Sequence, residues 1–177
     1  MQQPHPASEQ GVEIHTIAFS IVGESTVVAH DCDGEETVET VVAKLAAAQN
    51  RPELSQLLVS FENVDEPATT GAAVRDLLHG DRSGRAHLHR CPRISVTVEY
   101  NGKSIAADLP PAATIHRVLQ WSAGPHGFNI LDDIHDLALQ VIGTSKALEP
   151  NVHIGTLVPL GSCTLALELV AKDRPQG

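Results

Sequence analysis

Apolar and polar residues alternate in two distant stretches, "IAFSI" from Ile17 and "ISVTV" from Ile94, and each reads as a half-buried strand. An offset of 94 − 17 = 77 aligns the chain on itself without a gap from Ile17/Ile94 to Val42/Leu119. Ile17, Phe19 and Ile21 fall on Ile94, Val96 and Val98, Val28 on Ile105, Asp31 on Asp108 and Thr37 on Thr114. Asn101-Gly102 is a strong hairpin signal and Gly23-Glu24-Ser25 a weaker one, so a second strand should follow each first one. Thr37 and Thr114 then stand as helix N-caps ahead of the apolar spacings Val38-x-x-Val41-Val42 and Ile115-x-x-Val118-Leu119. Val38, Val41 and Leu45 should face one sheet, and Ile115 and Val118 another.

The later part of each half repeats more loosely. Leu57–Phe61 and Leu137–Val141 read as short buried strands, each followed by an acidic-Pro pair, Glu66-Pro67 and Glu149-Pro150. Arg85–Arg90 and Cys163–Val170 read as closing strands. The predicted order is β-β-α-β-(β)-β, twice, which places the chain in the α+β class with one helix across one sheet in each half. Each half holds about 75 to 80 residues, near the lower limit for independent folding. The expected organisation is a disordered extension over 1–11, a first domain over 12–92, a second over 93–171 and a flexible tail over 172–177. Only Cys91-Pro92-Arg93 separates the two units, so two lobes with restricted relative motion are expected.

Composition narrows the possible functions. Hydrophobic residues make up 42% of the 177 but aromatics only 3%, so the cores must be aliphatic. A net charge of −10 argues against a phosphate-backbone partner. No stretch is long and apolar enough to span a membrane, and "MQQPHPASEQG" lacks a signal-peptide core. Three cysteines (Cys32, Cys91, Cys163), with no Cys-x-x-Cys, are expected to be reduced thiols in a cytoplasmic protein.

Few residues suggest chemistry of the chain's own. His87 and His89 in "HLH" share one face of a strand and could share a metal, but no familiar ligand spacing lies nearby. Solvated strand histidines are the expectation there, as for His116, His126, His135 and His153. "DCDGEE" (Asp31–Glu36) has its Gly two positions too early for a calcium loop, and reads better as negative charge ahead of a helix N-terminus. Cys163 reads as a small core residue or inert surface thiol, Cys91 as an exposed hinge thiol, and Trp121 as core packing. No Gly-x-Ser-x-Gly, phosphate loop or HExxH is present. The expectation is a substrate of enzymes, with no metal or cofactor bound to the chain itself.

The hairpin-helix opening, the segment "LQVIGTSKALEP" and the closing "VHIGTLVPLGSCTLALELV" resemble the β-grasp order of ubiquitin-like domains. Two such domains on a minimal linker resemble the interferon-induced tandem ubiquitin-like modifier and the BilA type of bacterial ubiquitin-like protein. The resemblance implies that the Gly177 carboxylate is activated with ATP and Mg²⁺ by an E1-like activating enzyme. It would then pass as a thioester to an E2-like conjugating enzyme and be joined to lysines of target proteins, with a JAB-type metalloprotease reversing the bond. In that family the setting is antiphage defence. Arg174, Pro175 and Gln176 would be the tail that the activating enzyme recognises; Gln176 stands where such tails usually carry a second glycine. By rough alignment, the apolar binding patch of ubiquitin falls on Gln140, Ala166 and Glu168, where it looks largely erased. The alternatives are a non-conjugated tandem β-grasp adaptor that binds partners through its sheet faces, and, ranked below it, a sulfur carrier.

Overall fold

The structure is a computed structural model that describes residues 13–172, with residues 131–133 described by their backbone only. The extension over 1–11 therefore lies outside the described residues. The first unit comprises β1 (Ile14–Ile21), β2 (Val27–Asp33), α1 (Val38–Ala48), β3 (Leu58–Phe61), α2 (Val74–Leu77) and β4 (Ser83–His89). The second comprises β5 (Ile94–Tyr100), β6 (Lys103–Leu109), α3 (Ile115–Ala123), β7 (Leu137–Val141) and β8 (Thr164–Ala171). Their strands form two four-stranded sheets, ordered β2-β1-β4-β3 and β6-β5-β8-β7. In each, the first and last strands pair in parallel and the other neighbours are antiparallel. These are two tandem β-grasp domains, α+β in class.

Local chemistry accounts for the repeat. Asn101 (φ 49°) and Gly102 (φ 74°) both adopt the left-handed backbone that a tight hairpin demands. Thr37 and Thr114 cap their helices, accepting from the Thr40 and Arg117 amides at 3.3 and 3.2 Å. Val38, Val41 and Leu45 are buried against Ile17, Phe19, Ile21 and Leu88. Ile115 and Val118 are buried against Ile94, Val96, Val98, Leu165 and Leu167. Each such aliphatic side chain contributes about 1.5–3 kcal/mol by leaving water.

The bracketed strand of the predicted order does not form in either sheet. In its place stand α2 and a 3-10 turn, Ile154–Thr156. The backbone just ahead of each is spent elsewhere. Val38 and Glu39 donate to Ala72 O and Thr70 O, both at 3.0 Å, and Ile115 and His116 donate to Val152 O and Pro150 O at 2.9 and 2.8 Å. A strap of chain thus satisfies the orphan amides of each helix's first turn, and its carbonyls are no longer free for a ladder.

The cysteines correct the expectation of reduced thiols. Cys91 and Cys163 form a disulfide with their Cα atoms 5.8 Å apart. The topology brings them together: the linker enters β5, β5 lies parallel to β8, and the Ser95 amide already donates to Cys163 O at 2.8 Å. Cys91 is accordingly buried, and the closing strand starts at Thr164, one residue beyond Cys163. Cys32 is free and buried, and burial, reinforced by Glu36, pushes its thiol up to about 11, which keeps it unreactive. No helix among the described residues is long and apolar enough to cross a membrane.

Closing a loop of sequence separation 72 restricts the unfolded chain, worth about 4 kcal/mol in the loop-entropy account. Urea denaturation with and without a reducing agent should show a loss of that order. Cys91→Ser with Cys163→Ser should lose the same amount and no longer respond to reductant.

Candidate functional site: the sheet faces and the tail root

Because β8 lies inside its sheet, between β5 and β7, the chain leaves the second domain at a defined place. The last ladder pair is Leu137 with Ala171. The Lys172 amide then donates to Asp136 O at 2.7 Å and its ammonium to His135 O at 2.9 Å. A cavity of about 150 Å³, lined by Ile115, Leu119, Leu137, Leu139 and Lys172, adjoins this tail root. The predicted tail residues Arg174, Pro175 and Gln176 and the predicted conjugation residue Gly177 lie outside the described residues.

On the second sheet, the residues facing away from α3 include Thr97, Gln140, Ala166 and Glu168. Gln140 donates to the Glu168 carboxylate at 2.7 Å, so a polar pair occupies the middle of this face. Ala166 beside it is exposed. The face is open and carries no large apolar side chain at these positions.

Strand register identifies the matching positions in the first domain. Ser20 pairs with His87 and Thr97 with Ala166, and Ser20 and Thr97 are repeat equivalents, 97 − 20 = 77. Two residues further on come His89, opposite Leu58, and Glu168, opposite Gln140. Where the second sheet carries Ala166 and Glu168, the first therefore carries His87 and His89. This face is closed. His87 is 0% exposed, His89 2% and His153, from the second domain's strap, 1%.

These three histidines are not the solvated residues expected from the sequence, because the second domain's strap sits on the first domain's sheet. His116, His126 and His135 are exposed as expected. The His87 ring centroid lies 5.6 Å from that of His89 and 5.8 Å from that of His153. Burial, with the neighbouring His153 and His89, pushes the His87 imidazole down to about 3. Burial and Arg85 push His153 down to about 4. His89 is also lowered by burial, and its Nδ1 accepts a hydrogen bond from the Cys91 amide at 2.9 Å, which only the neutral ring can do. All three are neutral at pH 7.

Charged pairs ring the same contact. Arg85 donates to Asn151 O at 3.1 Å, Arg117 pairs with Asp65 at 2.5 Å, and Arg93 pairs with Glu66. The Arg117 guanidinium holds the Asp65 carboxyl below the usual carboxylate range. Elsewhere, the acidic stretch Asp31–Glu36 is engaged locally. The Asp33 carboxylate accepts from the Glu35 amide at 3.0 Å, Glu35 pairs with Arg75, and Glu36 pairs with Lys44. Trp121 packs half-buried against the second core. Sequence patterning found the "HLH" face but not its partner, since nothing in the spacing couples it to His153 sixty-odd residues away.

The family described as BilA ubiquitin-like domain 2 matches residues 95–172. Among solved structures, a ubiquitin of Caldiarchaeum subterraneum is similar at 12% identity over 47% of this chain and 98% of that chain, with a TM-score of 0.34. No curated protein sequence matches the chain significantly.

Gly155 packs tightly against the first sheet, since a Cβ there would lie 2.5 Å from His87 Nε2. Gly155→Ala should destabilise the folded protein by about 1–3 kcal/mol through overpacking, read as a lower denaturation midpoint. Adding His87→Ala should recover part of that loss, a coupling that a double-mutant cycle measures.

Proposed function

We propose that this chain, a BilA-type tandem ubiquitin-like protein, is a transferable modifier joined to lysines of target proteins through the carboxylate of Gly177. The observation that carries this reading is the family match over 95–172, the domain whose last strand leads into the tail. In the proposed sequence, the Gly177 carboxylate attacks the α-phosphate of ATP on an activating enzyme and releases pyrophosphate. An enzyme cysteine displaces AMP to give a thioester, which passes to a conjugating enzyme, and a lysine amine displaces the thiol. Glycine suits both transfers, because the absence of a Cβ lets backbone approach the nucleotide and the attacking sulfur. A JAB-type metalloprotease would hydrolyse the isopeptide bond, and the setting would be bacterial antiphage defence in the cytoplasm. ATP and Mg²⁺ belong to the activating enzyme, and the chain itself acts as the substrate.

Enzyme docking on the second domain is supported by the state of the two sheet faces. The first sheet's face is occupied by the second domain, whereas the second sheet's face is open and belongs to the same domain as the tail. Arg174, Pro175 and Gln176 would be the segment threaded into the activating enzyme. The two hydrogen bonds of Lys172 set the point from which that segment departs.

Mixed with its cognate activating enzyme, ATP and Mg²⁺, the protein should give a thioester band that disappears on reduction. A conjugating enzyme and a lysine-bearing target should then give a thiol-resistant product with Gly177 on a lysine. Deleting Gly177 withdraws the carboxylate by up to about 3.6 Å and should abolish the thioester, while Gly177→Ala should be milder. Cys91→Ser and Cys163→Ser should leave activation intact, because the reactive thiols are the enzymes'. Normal conjugation by the Gly177 deletion would overturn the modifier reading and favour the adaptor that binds through its sheet.

A further inference from the structure

The contact between the domains is built around imidazoles that have nowhere to put a charge. Among the described residues, both ring nitrogens of His87, both of His153 and Nε2 of His89 are buried without a hydrogen-bond partner. The bond accepted by His89 Nδ1 from the Cys91 amide places that ring's proton on Nε2. Across from His87, β1 and β3 contribute only the hydroxyls of Ser20 and Ser60. The charged or titratable groups near the cluster are Arg85 and His89 from β4, Glu62 from the turn after β3, His153 from the strap, and Glu24 from the turn after β1, which lines the cleft beside His153 and is paired with Arg51. The Glu62 carboxylate stands 3.7 Å from His153 Nε2 and can partner that ring if it ionises. Arg85 opposes ionisation there. Among the described residues, no carboxylate is paired with His87.

We propose that this contact is a proton-operated latch: it stays closed while His87, His89 and His153 are neutral, and their protonation releases the strap and uncovers the first domain's sheet face. Separation would expose Ser20, Ser60, His87 and His89, a polar face suited to a hydrogen-bonding partner or to water, while the two aliphatic cores stay intact. The sign follows from linkage. In the closed state His87 titrates near 3 and His153 near 4, and burial lowers His89 from its ordinary value as well. The open state therefore binds more protons than the closed state across the interval below 6.5. Closure is at full strength above pH 6.5 and weakens as pH falls through that interval. The Cys91–Cys163 disulfide stays within the linker and the second domain, so it does not prevent separation.

The experiment uses the full chain and carbethoxylation by diethyl pyrocarbonate, with mass spectrometry reading modification of His87 and His153 relative to exposed His126 between pH 5 and 8. Taking 6.5 as the open-state value, each imidazole that ionises on release should raise the relative opening about 25-fold between pH 7 and pH 5. Far-UV circular dichroism and Trp121 fluorescence should stay unchanged over the same range. His87→Gln should remove one such factor from the pH dependence read at His153. If that variant does not fold, His153→Gln read at His87 gives the same test. A rise below about fivefold, the same pH dependence in the Gln variant, or loss of the circular dichroism signal in step with modification would each overturn the latch.

Discussion

Parallel pairing of the last strand of each domain with its first forces the C-terminal strand into the middle of the sheet. Insertion of β8 between β5 and β7 buries Leu165, Leu167 and Leu169 beneath α3. It brings Cys163 beside the linker that feeds β5, which is why the disulfide forms there. It also gives the tail a defined origin, pinned by Lys172 to the carbonyls of His135 and Asp136. A parallel neighbour needs a long crossover, and that crossover carries the helix, the strap and the short turn. Its other parts take their places from this one pairing.

The strap does two jobs in the second domain. Through Pro150 and Val152 it satisfies the first amides of α3, and through His153 and Gly155 it seats on the first sheet. Helix capping and domain docking thus share one stretch of backbone. The equivalent strap of the first domain caps α1 in the same way, through Thr70 and Ala72, but continues into α2. Two copies of one fold therefore use their sheets differently. His87 and His89 in the first domain face the second domain, while Ala166 and Glu168 in the second leave the corresponding face polar and open. An adaptor that needed both faces would find only one available, whereas a modifier presented through its C-terminal domain needs only that one.

Burial decides the chemistry of the histidines. An imidazole on an exposed strand would titrate near its ordinary value. The same side chain between the first sheet and the second domain's strap, with no carboxylate paired to His87 among the described residues, is held neutral by desolvation. The ion pairs at the rim, Arg117 with Asp65 and Arg93 with Glu66, are exposed enough for water to screen them. They add little strength to the contact, whose interior holds the buried imidazoles of His87, His89 and His153.

Much of this architecture is legible in the order of the residues, because its signals are local. Strand alternation, the Asn101-Gly102 turn and the Thr37 and Thr114 caps each act within a few positions, and the offset of 77 repeats them in register. The α+β class and the ubiquitin-like resemblance follow from those signals. The missing bracketed strands, the Cys91–Cys163 bond and the burial of His87, His89 and His153 depend on contacts between residues far apart in the chain. A strap spent on a helix N-terminus, a linker lying beside β8 and a second domain resting on the first sheet have no periodicity to reveal them. Local propensity names the elements, but which backbone groups and side chains lose their water is decided only when distant segments meet.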